Sequence, residues 1–356
     1  MAYEGVMDDI RICVNLGVPK RVPVFANSEE FDVKWHGKYT YEEVCQDADK
    51  LAEVWIAAVE EFDYDWAWLQ IDDCIEFEVL GIGCHGEGNI LRATKDYLTV
   101  TQETLKNLKM PDPDKDGRMP VKLEAIRKIR KHFGERVCLC ASNAAPFSSV
   151  ALLYGLTETM MLIHTDPKLL KDTCEFFVEL QKMWGVAQIK AGAHAIWLGD
   201  CNAMSNLISP EQYREFAFEP CKKVTTAYRK AGGLTFLHNS EESIPYIELE
   251  TQLGVSAISV GPGIDIGKAK KTVKGKTCLL GNLDPINVLM NGTPEQIAKE
   301  TERIMTYGKK DGGYIFNTGE MNPRDVPVEN MKTMIQTAKK LTFNDKIVVK
   351  QVKTKL

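Results

Sequence analysis

No apolar run in this sequence approaches the roughly 20 residues needed to span a bilayer, so no membrane helix is expected. The opening MAYEGVMDDIRICV carries early acids and no apolar core, which argues against a secretory signal. Ten cysteines contain no Cys-x-x-Cys pair, excluding a zinc ribbon or a thioredoxin motif, and their spacing suggests no disulfide framework. Reduced thiols in a cytoplasmic chain are the expectation, and many buried thiols also fit an anaerobe. No basic stripe stands out: 44 Lys and Arg face 50 Asp and Glu, for a net charge of −6. A nucleic-acid surface is therefore not expected. The one basic cluster, Lys346, Lys350, Lys353 and Lys355, reads as a solvated end. Internal repeats and low-complexity tracts are also missing.

What is present is the composition of a large globular core, with 44% apolar and 26% charged residues in 356. Eight short apolar runs recur near 22–25, 66–71, 137–142, 195–200, 234–239, 257–262, 277–282 and 314–319. Each ends in a polar residue or glycine, as strands buried on both faces do. Amphipathic segments lie between them at 41–62, 167–191, 210–231, 243–253, 294–307 and 328–341. Ser209-Pro-Glu-Gln and Thr293-Pro-Glu-Gln are capping-box starts with proline at the first helical position, and Thr165-Asp166-Pro167 is a third helix start. The alternation predicts one domain over residues 1–356, a (β/α)8 TIM barrel with an N-terminal extension and a long excursion over 72–136 after the second strand. An open doubly wound sheet is the alternative.

Two motif matches fail on context. GIGCHG (81–86) has the glycine spacing of a dinucleotide site, but DDCIEFEVL separates it from the preceding strand and no clean helix start follows. Asp112, Asp114 and Asp116 open like a calcium loop, yet the twelfth position is Leu123.

In a barrel the chemistry sits on the C-terminal strand ends. Those ends hold Asp72, Asp73, Glu76 and Glu78; Ser142 and Asn143; Asp200 and Cys201; His238, Asn239, Ser240 and Glu241; Asn282 and Asp284; and Thr318, Gly319 and Glu320. Such a rim could bind a divalent metal through His238, Glu320 and a further acid, or hold an acid–base pair. Taken singly, each carboxylate is as well explained by helix capping. His238 stands apart, because a histidine ending a buried strand faces the mouth. His194 precedes the fourth strand at the barrel bottom, where a stabilising role is expected.

Several segments, in order from about Val22 to Leu341, resemble the uroporphyrinogen decarboxylase superfamily. They are MPDPDKDGRMPVKLEAIRKI (110–129), LISPEQYREFAFEPCKKV (207–224), LLGNLDP (279–285) and GGYIFNTGEMNPRDVPVENMKTMI (312–335). The resemblance implies a barrel with one of two activities: decarboxylation of uroporphyrinogen, or methyl transfer involving corrinoid proteins or thiols, usually with zinc. The decarboxylase's Arg-rich N-terminal stretch is replaced here by RVPVFANSEEFDVKWHG (21–37), and its final Gly-His-Gly by Gly319-Glu320-Met321. Thiol-methylating relatives hold zinc with His-x-Cys and a later Cys; the matching positions here are His238, Ser240 and Glu320. Histidine plus carboxylates suits polarising an oxygen better than delivering a thiolate.

The resemblance therefore implies the first methyltransferase of a corrinoid O-demethylase system. Its methyl donor would be a methyl ether, plausibly a methoxylated aromatic, and its acceptor cob(I)alamin on a separate corrinoid protein. His238, Glu320, Asp73 and Asp200 are the expected catalytic residues; His238, Glu320, Glu76 and Cys201 are the expected zinc ligands. A buried, inert thiol is the competing reading of Cys201. Methylamine, methanol or a thiol as the other methyl partner, decarboxylation, and a non-catalytic tetrapyrrole binder remain open, as does a homodimer.

Overall fold

The structure is a computed structural model and describes residues 3–342, so the Lys346–Lys355 cluster lies outside the described residues. Its centre is a seven-stranded, all-parallel sheet. The first strand, β1 (Trp66–Leu69), pairs with β4 (Cys138–Ala144). The order then runs through β5 (Ala195–Gly199), β6 (Leu234–Glu241), β7 (Ala257–Val260), β8 (Cys278–Leu280) and β9 (Tyr314–Ile315). Between β1 and β4, β2 (Gly83–His85) and β3 (Ala93–Asp96) form a separate antiparallel hairpin.

The eighth expected strand, 22–25, closes the ring without becoming a regular strand. Phe25 N–H donates to the Phe316 carbonyl (2.8 Å), Phe316 N–H to that of Pro23 (3.0 Å), and Asp65 N–H to that of Val24 (2.9 Å). The segment thus bridges β9 and β1. Pro23 has no N–H to give a ladder, and Val24 N–H turns to the Asp65 carboxylate at 2.7 Å, so only isolated bridges form. Arg21 pairs with the same carboxylate, and Lys339 reaches it at 2.8 Å. β8 and β9 are likewise shorter than 277–282 and 314–319. Beyond them the chain leaves the ladder, with one further bridge from Leu283 to Thr318.

The capping boxes form at Ser209/Gln212 and Thr293/Gln296, and Asp166 caps the Pro167–Ala191 helix. Two expected helices are interrupted. Asp47 is extended (φ −135°) and caps a new helix, dividing 41–62 into Tyr41–Gln46 and Ala48–Phe62. A π-helical turn, Tyr213–Phe218, precedes Glu219–Lys230. It falls where Pro220 lacks the N–H for a regular turn and its ring would press on the preceding one.

The excursion over 72–136 carries the hairpin and the Met119–Phe133 helix. GIGCHG belongs to that hairpin. A Cβ on Gly86 would meet Arg92 Cα at 2.5 Å, so its glycine allows tight backbone packing and no helix follows. Asp112, Asp114 and Asp116 form a surface turn, with Lys115 on Asp112 (2.7 Å).

Alternate residues of the parallel strands fill the barrel with aromatic rings. Phe25 stacks on Trp66 (centroids 4.3 Å), Trp66 on Trp68 (5.7 Å), and Trp197 meets both edge-on. All are fully or almost fully buried, and they form a stiff platform below the mouth. Among the described residues every cysteine is free, and eight of the ten are buried. No single helix among them is long and apolar enough to cross a membrane.

Candidate active site

At the C-terminal ends of β1, β4, β5 and β6 lies a cavity of about 240 Å3. Trp197 forms part of its wall, and the His238 ring stacks on that indole at 4.6 Å. His238 is buried, at 3% exposed, and lines the cavity. Both ring nitrogens have partners: Nδ1 lies 3.2 Å from Ser259 Oγ, and Nε2 lies 3.1 Å from Glu320 Oε1. Burial opposes charge on this imidazole, but the Glu320 carboxylate, aided by Cys201, outweighs it and lifts its pKa to about 10. Glu320 answers in the opposite sense. Burial would raise it, yet His238, Ser240 and the Met321 N–H hold it down at about 2. The two therefore form an ion pair at neutral pH, with the imidazolium donating from both nitrogens.

Backbone geometry sets this pair. Ser240 is left-handed (φ 53°) and its hydroxyl donates to Glu320. The bend lets Glu241, rather than the residue after His238, resume the pairing with β7. It is possible because Gly261 has no side chain: a Cβ there would sit 2.3 Å from the Ser240 carbonyl oxygen. Gly319 is similarly close to Pro262 N, at 2.7 Å. Three chain segments thereby approach closely enough for Glu320 to reach His238.

Across the cavity stands the acidic side. Asp73 is accessible and lines the cavity. Lost solvation, then Asp72 and Glu76, raise its pKa to about 6. Gln70 Nε2 donates to it at 3.2 Å. Glu76 is buried and raised for the same first reason, with Gln181 Nε2 at 3.3 Å. Asp72 is clamped by Arg118 at 2.6 and 3.1 Å. Behind Ser142 lies Lys122, 1% exposed, donating to the Ser142 carbonyl (2.8 Å) and hydroxyl (2.9 Å). Burial lowers its pKa to about 8 despite Glu76, Asp72 and Asp73.

The sequence-derived candidates divide. His238, Glu320, Asp73, Glu76 and Cys201 all line the cavity. Asp200 does not: it is wholly buried and accepts from Ser148 Oγ at 2.9 Å, so it positions a lining residue instead of being one. Cys201 is exposed, not a buried inert thiol, and its Sγ lies 3.9 Å from the His238 carbonyl oxygen. Lys122 was not anticipated. Its signal was legible, since in Met119–Phe133 it falls on the same face as Met119, Leu123, Ile126 and Ile129, where a lysine is out of place. Trp197, Ser148 and Asn202 had no distinguishing signal.

As zinc ligands the four expected residues are not gathered. His238 Nε2 and Glu320 Oε1 are about as far apart as two ligands of one tetrahedral ion. Glu76 is turned to Gln181 and Cys201 to backbone. Among the described residues no three His, Cys, Asp or Glu side chains are grouped to hold a metal ion. The donor set as placed supplies two ligands, not a closed site.

The sequence profile of the uroporphyrinogen decarboxylase (URO-D) family matches residues 15–341. A uroporphyrinogen decarboxylase of Psychromonas ingrahamii is 26% identical over 315 residues, covering 84% of this chain and 85% of its own. The methylcobamide:CoM methyltransferase MtbA of Methanosarcina acetivorans is 25% identical over 308 residues, covering 85% and 87%. Among solved structures, a methyltransferase from Methanosarcina mazei superposes with a TM-score of 0.85 at 20% identity, covering 94% of this chain and 98% of that one. That likeness establishes the barrel fold, and the profile match over nearly the whole sequence establishes the family: the chain belongs to the uroporphyrinogen decarboxylase (URO-D) family.

Proposed function

We propose that this chain is a corrinoid-dependent methyltransferase that takes a methyl group from a methyl ether, a methoxylated aromatic, and passes it to cob(I)alamin on a separate corrinoid protein. Relatives named as methylcobamide and methylated-thiol methyltransferases support the methyl-transfer part. The observation that carries the ether part is the His238–Glu320 ion pair: the histidine is kept, while Ser240 and Glu320 stand at the positions that match the thiolates of thiol-methylating relatives.

The reaction breaks the methyl carbon–oxygen bond. The carbon passes to the corrinoid cobalt, and the oxygen keeps the bonding electron pair. That oxygen needs a proton or an equivalent positive partner, and the His238 imidazolium is the one cationic group lining the cavity among the described residues. Glu320 keeps the imidazole protonated before the substrate arrives, Ser259 fixes the ring through Nδ1, and Trp197 prevents it from tilting. Glu320 raises the imidazole's pKa, which keeps the proton in place until the phenolate oxygen departs. The cavity's apolar wall, Phe77, Leu152 and Met321, gives the ring a surface to lie against and excludes water.

A zinc ion, if bound, would rest on His238 and Glu320 and supply Lewis acidity at the same oxygen. Elemental analysis of anaerobically purified wild type, His238→Ala and Glu320→Ala tests it: near-stoichiometric zinc lost in both variants supports the ion. Anaerobic incubation with 2-methoxyphenol and cob(I)alamin tests the function. Formation of catechol with methylated corrinoid is expected; carbon dioxide from uroporphyrinogen without a corrinoid would overturn the reading.

A further inference from the structure

The charges around the cavity are unevenly provided for. Asp72 is taken up by Arg118, and Glu320 by His238. Asp73 and Glu76 also line the cavity, and the cation nearest them, Lys122, is turned to Ser142 behind the wall. Among the described residues that line the cavity, none is lysine or arginine. An anionic substituent entering here would find two carboxylates and no guanidinium or ammonium to meet it. A hydroxyl would find two acceptors in Asp73 and Glu76, and amide groups in Gln70 and Asn202. A full positive charge is not required either, because Arg118, Lys122 and His238 already balance most of the acids.

We infer that the site selects among methyl ethers by charge, accepting uncharged methoxyphenols whose free hydroxyl donates to Asp73 or Glu76 and rejecting methoxylated benzoates. This rests on the ether reading above and adds a specificity determinant to it. Asp73 and Glu76 become the residues that choose the substrate, while the His238–Glu320 pair serves the reacting oxygen. Like charges brought together in a partly desolvated pocket weaken binding steeply, whereas a hydroxyl on a carboxylate gains a charge-assisted hydrogen bond.

Calorimetric titration without corrinoid tests this with three matched ligands: 4-hydroxy-3-methoxybenzoate, its uncharged methyl ester, and 4-hydroxy-3-methoxybenzylammonium. The ester is expected to bind the wild type at least about tenfold more tightly than the benzoate, a decade being about 1.4 kcal/mol. That ratio should shrink toward one in Asp73→Asn and in Glu76→Gln. The comparison within the wild type needs no variant to fold. A benzoate that binds as tightly as its ester overturns the inference while leaving ether cleavage intact. An ammonium that binds more tightly than the ester overturns it in favour of a cationic donor. Failure of all three to bind removes the ether reading, and the inference with it.

Discussion

Two histidines on neighbouring strands, at opposite ends of the barrel, meet opposite fates. His238 lies at the C-terminal end of β6, paired with Gly199 of β5 in the sheet register. His194 lies just before β5, at the other end. Burial disfavours charge on both. At the mouth a carboxylate overrules it and the ring rises to about 10. At the bottom Arg130 reinforces it and the ring falls to about 4. His194 is consumed by structure. Its Nδ1 accepts from Leu139 N–H at 3.0 Å, and its backbone exchanges hydrogen bonds with Leu139 and Leu234, tying β4, β5 and β6 together. The same residue type, fully buried at the mouth and partly buried at the bottom, becomes a proton donor or a neutral staple according to the neighbouring charge.

That contrast can be broken by substitution. His238→Gln should lower the methyl-transfer rate by about 10²–10⁴, the usual worth of a positioned general acid, while His194→Gln leaves the rate of folded enzyme nearly unchanged in single-turnover measurements. His194→Ala should instead cost about 1–3 kcal/mol in denaturant unfolding, by leaving the buried Leu139 N–H without an acceptor.

The pH dependence of stability should also differ in sign. The folded pKa of His194 is depressed, so the unfolded chain binds more protons between about 6.5 and 4. Its contribution should fade as pH drops through that window, by at most about 1.4 kcal/mol per unit, and His194→Gln should flatten the slope. His238 is raised, so its contribution is complete below about 6.5 and lost as pH climbs through about 10. Glu320, depressed to about 2, contributes above about 4.5 and loses that as pH falls.

Two smaller effects sharpen the comparison. Glu320→Gln removes the opposing charge, and the His238 ring, followed by its carbon-bound proton resonances, should titrate well below 10. An unchanged titration would mean that another group holds its charge. Ser240→Ala deletes one hydroxyl bond to Glu320 and should lower the rate only a few-fold, with the left-handed backbone at that position retained.

Much of this is legible in the sequence. The parallel strands, the capping boxes, the excursion and the position of His238 follow from periodicity and local chemistry, which act over a few residues. The His238–Glu320 contact joins residues 82 positions apart. Its partners were named, but the gap between them depends on glycines at 261 and 319 whose missing side chains matter only once three segments converge. Asp200 turns its side chain to Ser148 and does not line the cavity, a direction that its position on the rim does not reveal. Lys122 was overlooked among the many basic residues of its helix, although its place on the apolar face marks it as buried.

The central claim is that His238 gives its proton to the departing oxygen. The most direct test compares two methyl ethers, 2-methoxyphenol and 4-nitroanisole, with wild type and His238→Gln, following methylation of cob(I)alamin in a single turnover. The nitrophenolate leaves without needing a proton, so the variant should lose most of its rate toward 2-methoxyphenol and little toward the nitro ether. Equal losses with both ethers would contradict proton donation by His238.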